Sequence, residues 1–199
     1  MSLFNPDFPP DAFEVRVSEL LVATPEGSDA MLHGAIPEIL RLLREHLKMD
    51  VAFVSEFVDG RRVFRRVDTA PDKRVIETGG SAPLESSYCH FILKGVVPRL
   101  IHDAAKLPPA QAGVLPSAPF PIGAHLSTPV VLNDGRIYGT LCCFSFAPND
   151  ALMERDLHKL EMSAKVVARK IDEQRAQDAE QAMARWELQP TAALRGLQR

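Results

Sequence analysis

The sequence predicts an α+β fold built on an antiparallel sheet, and three observations carry that expectation. Apolar residues recur at helical spacing over 29–48, turn signals stand at Asp59-Gly60 and Asn133-Asp134-Gly135 between β-rich runs, and a second helical pattern starts near Leu152. Hairpin turns join strands antiparallel, and helices before and after the strand run segregate to the sides of the sheet.

The elements follow in order. Residues 1–14, rich in proline and aromatic residues, open an N-terminal arm over 1–27, within which 15–23 suits a short helix or a strand equally. Ser28 or Asp29 can cap the next helix, because a side-chain oxygen accepts its orphan N–H groups. Met31, Leu32, Ala35, Ile36, Ile39, Leu40, Leu43 and Leu47 then form one stripe, with Arg41, Arg44, Glu45 and Lys48 toward water. Pro37 inside that stripe should kink the helix or split off its first turn. Residues 50–58 and 61–68 read as strands around the Asp59-Gly60 turn. Val63, Arg65 and Val67 alternate with Arg62, Phe64 and Arg66, so one face of the returning strand meets solvent. A loop over 69–82 holds a short strand at 74–77. Residues 83–94 read as a helix closed by Gly95, and 97–103 as a short strand. The proline-rich 104–122 is irregular apart from one helical turn. Strands at 123–132 and 136–146 flank the second turn, and Pro148 to Asp150 lead into the last helix.

The 199 residues are 46% hydrophobic and 25% charged, which suits one soluble domain with an extension and excludes whole-chain disorder. A net charge of -3 gives no electrostatic case for nucleic acid. No apolar run approaches the ~18 residues of a membrane span, and the first residues have neither the basic start nor the apolar run of a secretory signal. Neither nucleic acid nor membrane is therefore an expected partner. Cytoplasmic residence is expected, since the three cysteines, Cys89, Cys142 and Cys143, are a poor disulfide framework. There is no CxxC, and the six histidines show no metal-ligand spacing, so buried free thiols and no metal site are expected.

Five fragments in this order resemble the GAF family of PAS-like sensory folds: MDVAFVSEF, PLESSYCHFIL, LIHDA, the strand GAHLSTPVVL, and the NDG turn with RIYGTLCCFSF. The resemblance covers about 28–172 and is most specific in the last hairpin. It implies a sheet of five or six strands with terminal helices on one face and a ligand pocket under connecting helices and loops on the other. Bacterial signalling GAF domains, including those that precede cyclic-di-GMP-turnover domains, are the nearest resemblance. The family accepts cyclic nucleotides, amino acids, haem and tetrapyrroles, so the ligand and any cofactor stay unnamed. The side chains expected to face the pocket are Phe53 or Ser55, Tyr88, Cys89, Ile101, Asp103, His125, Ser127 and Cys142. Strand parity is open, because a one-residue slip turns every side chain to the other face.

Sharper chemistry is weighed against plainer readings. Bilin attachment would need a Cys-His pair just before the final hairpin, where this chain has no cysteine. A Cys89-His90 dyad fails because neighbours on a helix point about 100° apart; one half-buried and one exposed position is the plainer reading. Reduction of free methionine sulfoxide, which some GAF proteins perform with cysteines, stands as a third reading. Cys142 and Cys143 would not pair, since strand neighbours point to opposite faces. Asp103, beside His102, either meets a ligand's polar group or caps the segment after it. Arg61, Arg62, Arg65 and Arg66 read as a solvated strand edge, where charge discourages pairing with another sheet.

From Leu152 the chain reads as helix for about 35 residues. Leu157, Leu160, Ala164, Val167 and Ile171 keep a three-four rhythm; beyond 172 the helix is polar, with Ala179, Met183 and Trp186 one residue out of register. Residues 173–199 are expected to form a signalling helix and a linker to an output domain outside this chain, with two copies pairing as a homodimer. The expected function is a non-enzymatic sensor of a small molecule; a dimerisation module with a filled pocket is the alternative.

Overall fold

A computed structural model describes residues 12–22, 28–115 and 118–187. The start of the arm and residues 188–199 of the expected signalling helix and linker lie outside the described residues, as do the side chains of Ser28 and Asp29 on which the cap was placed. The elements are α1 (Ala12–Val22), α2 (Ser28–His46), β1 (Val51–Val58), β2 (Arg61–Thr69), β3 (Ser81–Pro83), α3 (Tyr88–Leu93), β4 (Leu100–Ile101), α4 (Pro109–Ala112), β5 (Ala124–Val131), β6 (Ile137–Ser145) and α5 (Glu154–Glu187), with a 3-10 turn at Ala104–Lys106. Six strands pair antiparallel in the order β3-β2-β1-β6-β5-β4. None of the described helices is long and apolar enough to cross a membrane.

The period-2 rule sorts the strands into two faces. Ala52 and Val54 of β1, Leu141 and Cys143 of β6, and Leu126 and Val130 of β5 pack with Ile39, Leu40 and Leu43 of α2 and Leu160, Ala164 and Val167 of α5. Helix α1 joins this layer through Phe13 and Val17, so the stretch read as an arm contributes to the core. On the other face Val51, Phe53, Phe64, Cys142 and Phe144 pack beneath Cys89 of α3, with Ile76, Phe120 and Ile122 of the connecting loops against them.

Turn chemistry sets the registers. Asp59 and Gly60 both take left-handed backbone, at φ 50° and 72°, as a tight primed turn between β1 and β2 requires. Pairing then runs Val58 with Arg61 and Phe57 with Arg62, until the register shifts at Val54/Ser55. That bulge explains how Phe64 and Val67, three residues apart, both reach the far face.

Several local expectations change. Helix α2 continues through Pro37 rather than splitting there. The helix expected from Pro83 begins at Tyr88. Residues 81–83 instead pair with β2, and the Ser87 hydroxyl donates to Leu84 O (2.6 Å) while accepting the His90 N–H (3.3 Å), which fixes the helix start. No strand forms at 74–77. The β2 edge there is taken by glycines, with Gly79 N–H donating to Phe64 O and Phe64 N–H to Gly80 O. Nor is the arginine-rich β2 an open edge, since β3 covers Arg61 to Val63.

Candidate functional site

The centre of the far face is a patch of polar side chains sealed inside an aromatic frame. Cys142 on β6 stands between two directly paired neighbours, Phe53 on β1 and Ser127 on β5. One step along, Ser55 pairs with Thr140, and their hydroxyl oxygens lie 3.0 Å apart. The Ser127 and Thr140 hydroxyls lie 3.1 and 3.3 Å from Cys142 Sγ. From above, the first turn of α3 lowers Cys89, whose Sγ is 3.3 Å from Cys142 Sγ. Cys89, Ser55, Ser127, Thr140 and Cys142 are all fully buried.

Two further groups close the patch. His125 on β5 is 2% exposed, its ring 5.4 Å from that of Tyr88 and its Nδ1 without a hydrogen-bond partner. Arg62 enters from β2, its guanidinium 4.9 Å from the Phe64 ring centroid and 5.5 Å from that of Phe53. Its Nη1 donates to Cys89 Sγ at 3.3 Å, while its buried Nε has no partner.

This environment divides the thiols. Cys89 is held well below the ordinary thiol range by the hydrogen bond from Cys142 and by the nearby Arg62 charge, against the opposing effect of burial. Burial pushes Cys142 up, and the neighbouring Cys89 reinforces the shift. Cys143, on the helix face, is also raised by burial.

Of the side chains expected at a pocket, the structure brings together Phe53, Ser55, Cys89, His125, Ser127 and Cys142. Ile101 lies beside them as the ladder partner of His125, and Tyr88 is half-buried at their margin. Phe53 and Ser55 share one face, so both belong where one or the other was expected. Asp103 does not join them: its carboxylate accepts the Ala105 N–H at 3.0 Å, capping the 3-10 turn, and pairs with Lys106. Cys89 is buried, as expected of a free thiol, and His90 is half-buried, so the pair is more enclosed than the one half-buried and one exposed position expected.

Arg62 was read as surface charge and is instead part of the site. The signal was present: from the Asp59-Gly60 turn, simple hairpin pairing puts Arg62 opposite Phe57, on the face of Ser55 and Phe53. Thr140 was likewise legible as the β6 neighbour two residues before Cys142. The expectation that no metal-ligand cluster exists is also revised, because Cys89, His125 and Cys142 present donor atoms within 4.8 Å of one another. Ligand spacing in the sequence cannot reveal donors drawn from a helix and two strands.

The far face is filled at Phe53, Phe64 and Phe144, with Phe120 stacked on Phe144 at 5.5 Å. A cleft of about 300 Å³ lies instead on the helix face, lined among others by Glu56, Arg65, Tyr138, Lys170 and Arg175 where α5 leaves the sheet.

A family model described as GAF domain matches residues 32–171, well over half of the chain. The chain belongs to the GAF domain family. Among solved structures, this GAF domain is similar to that of an Acinetobacter phosphoenolpyruvate-protein phosphotransferase (16% identity, TM-score 0.60, covering 82% of this chain and 92% of that one). It is also similar to a bacteriophytochrome from R. palustris, at 16% identity and TM-score 0.61, covering 88% of this chain but 40% of the larger protein. A third is the type II free methionine-R-sulfoxide reductase of Thermoplasma acidophilum, at 16% identity and TM-score 0.55, covering 72% of this chain and 94% of that one. These likenesses concern the fold. A search of curated proteins gives no significant match. Helix α1 precedes the matched region of this GAF domain, and the exposed half of α5 follows it.

Proposed function

We propose that this GAF domain is a small-molecule-sensing regulatory module that binds its ligand at the buried site under α3 and passes the bound state through α5 to an output domain. The observation that carries the reading is the pair of uncommitted polar groups in that site. Arg62 Nε and His125 Nδ1 are buried without partners, and a group left so costs stability until something satisfies it. A ligand that does so favours one arrangement of α3 over the sheet, and it shifts the domain only as far as it binds that arrangement better.

The route outward is continuous. Cys142 and Ser127 face the site, while their strand neighbours Leu141 and Leu126 lie in the layer holding Leu160, Ala164 and Val167 of α5. The same helix stays tied to the sheet as far as Arg175, which pairs with Glu56 at 3.2 Å and covers the Tyr138 ring, and then runs on, exposed over 178–186. Met183 and Trp186 are 67% and 79% exposed there. Large apolar side chains on a polar helix suit pairing with a second copy, which would be a homodimer through α5. Residence in the cytoplasm and an output domain of the cyclic-di-GMP-turnover kind belong to this proposal.

Native mass spectrometry of freshly purified full-length protein tests it, combined with hydrogen exchange over 173–187. A bound small molecule whose removal changes exchange in that segment supports sensing. A ligand-free protein, whose α5 exchange is the same whatever is added, overturns it. The second reading, a dimerisation module, is favoured by the packed phenylalanines of the far face; it predicts a stable dimer with no ligand at all.

A further inference from the structure

The buried site has the donor set of a metal centre. The Cys89 and Cys142 sulfurs are 3.3 Å apart, and a ring nitrogen of His125 lies within 4.8 Å of both. Three atoms that close share a centre within about 2.8 Å of each, so metal–sulfur bonds of about 2.3 Å and a metal–nitrogen bond of about 2.0 Å require movements under about 1 Å. His125 is buried with Nδ1 unpartnered, an independent sign of a polar atom that the fold itself does not use.

Charge and donor number choose among metals. Thiolates select soft ions such as copper(I), zinc and iron–sulfur clusters. Two thiolates and Arg62 sum to a single negative charge, which a monovalent cation neutralises and a divalent one overshoots inside a region sealed from water. Structural zinc also takes four strong ligands, and here three are present, with Ser127 Oγ 3.1 Å from Cys142 Sγ and the Cys142 thiol donating to Thr140 Oγ1. Once the thiol proton is displaced both hydroxyls can turn to donate to that sulfur, as Arg62 Nη1 already does to Cys89 Sγ.

We propose that Cys89, Cys142 and His125 bind one copper(I) ion, with Arg62 balancing the charge. This names the ligand class of the site assigned above and rests on that reading. Loading displaces whatever protons the two sulfurs carry and ties α3 to β5 and β6.

Full-length reduced protein is titrated anaerobically with copper(I) held by bathocuproine disulfonate. The expected result is one copper withdrawn per chain, with a near-ultraviolet thiolate-to-copper band. Cys89→Ser and Cys142→Ser lose that binding, His125→Gln weakens it at least about tenfold, and Cys143→Ser keeps it. Arg62→Met narrows the preference for copper(I) over zinc by about tenfold. Circular dichroism confirms folding; should a cysteine variant misfold, His125→Gln and Arg62→Met decide. The proposal is overturned if no copper leaves the chelator, if folded Cys89→Ser binds as tightly as the parent, or if zinc is retained in preference. Hydrogen exchange over 173–187 on the loaded protein separates the two ideas: copper bound without any response in α5 leaves the metal site standing and overturns sensing through that helix.

Discussion

Leu141 and Cys142 are adjacent, fully buried and in the same strand, yet they belong to different kinds of interior. Leu141 faces an aliphatic layer in which leucine, isoleucine, valine and alanine side chains from three sheet strands and three helices interdigitate. Cys142 faces a layer of phenylalanines enclosing two thiols, three hydroxyls, an imidazole and a guanidinium. Burial of polar groups is costly unless each finds a partner, so an interior selected for stability alone would resemble the first. The second keeps Arg62 Nε and His125 Nδ1 unsatisfied within its walls. Equal burial thus hides unequal chemistry: one face is aliphatic, while the other encloses polar groups, two of whose atoms have no partner.

The severest way to break this arrangement strikes both faces at once. A Cβ at Gly139 would lie 1.9 Å from Ser55 O and 2.7 Å from Ser55 C, backbone atoms of the neighbouring β1 that cannot step aside. Gly139→Ala should cost more than about 4 kcal/mol and disrupt the β1–β6 pairing, seen as a lowered urea midpoint or loss of the folded state. A variant melting with the parent would disprove the close approach. Next in size is the contrast between neighbours. Leu141→Ala should cost about 2–5 kcal/mol, since it opens a cavity beneath α2 and α5. Cys142→Ala removes one sulfur and should cost about 1 kcal/mol. Equal losses for the two in the same denaturation series would erase the distinction between the faces.

A smaller, more local effect belongs to the cover of the far face. Ser87 caps α3 by accepting the His90 N–H, and Ser87→Ala should cost about 1 kcal/mol. Because α3 has only six residues, that loss should appear as local opening. Alkylation of Cys89 in native protein should accelerate severalfold, while Cys143, under the helix layer, reacts at its former rate. Parallel acceleration at both thiols would point to global unfolding and would remove the case for α3 as a separately movable cover.

How much of this could be read beforehand differs between the same two faces. The helix layer announces itself by periodicity: the stripe of Ile39, Leu40 and Leu43 and that of Leu160, Ala164 and Val167 are continuous in sequence, and the turns at Asp59-Gly60 and Gly135 set the hairpins. The far face is assembled from single residues contributed by β1, β2, α3, β5 and β6, so its membership depends on parity and register rather than on any run. Five of the expected pocket residues meet there because strands alternate, and α3 adds Cys89. Arg62 was missed because its neighbours in sequence are exposed arginines, although the turn already placed it opposite Phe57. The cysteine–histidine donors were missed because 36 and 17 positions separate them, and only the pairing of β5 with β6 and the descent of α3 bring them together. Asp103 was placed at the pocket by resemblance and as a cap by its own residues, and its local geometry is that of the cap.

The mildest prediction concerns the outer rim of the helix layer, where charge is exposed and screened. Glu38 of α2 accepts two hydrogen bonds from Arg41, at 2.7 and 3.0 Å, and these hold its carboxyl below its ordinary value of 4.5 against a small opposing effect of burial. A carboxylate whose pKa falls on folding contributes stability that is fully present above its unfolded pKa and is lost as pH falls through the folded one. Glu38→Gln should therefore lower the thermal midpoint slightly at neutral pH, by less than any change above, since such solvent-facing pairs contribute little. Below about pH 4.5 the parent loses the same contribution, and the two midpoints should converge as acid protonates Glu38. Alkylation of Cys89 should be the same in parent and variant throughout, because Glu38 lies across the sheet from α3. A midpoint gap that persists in acid would assign the stability of this rim to packing rather than charge. A change in Cys89 reactivity would show that the two faces communicate even through a group on the solvent side of α2, a stronger coupling than the layered packing provides for.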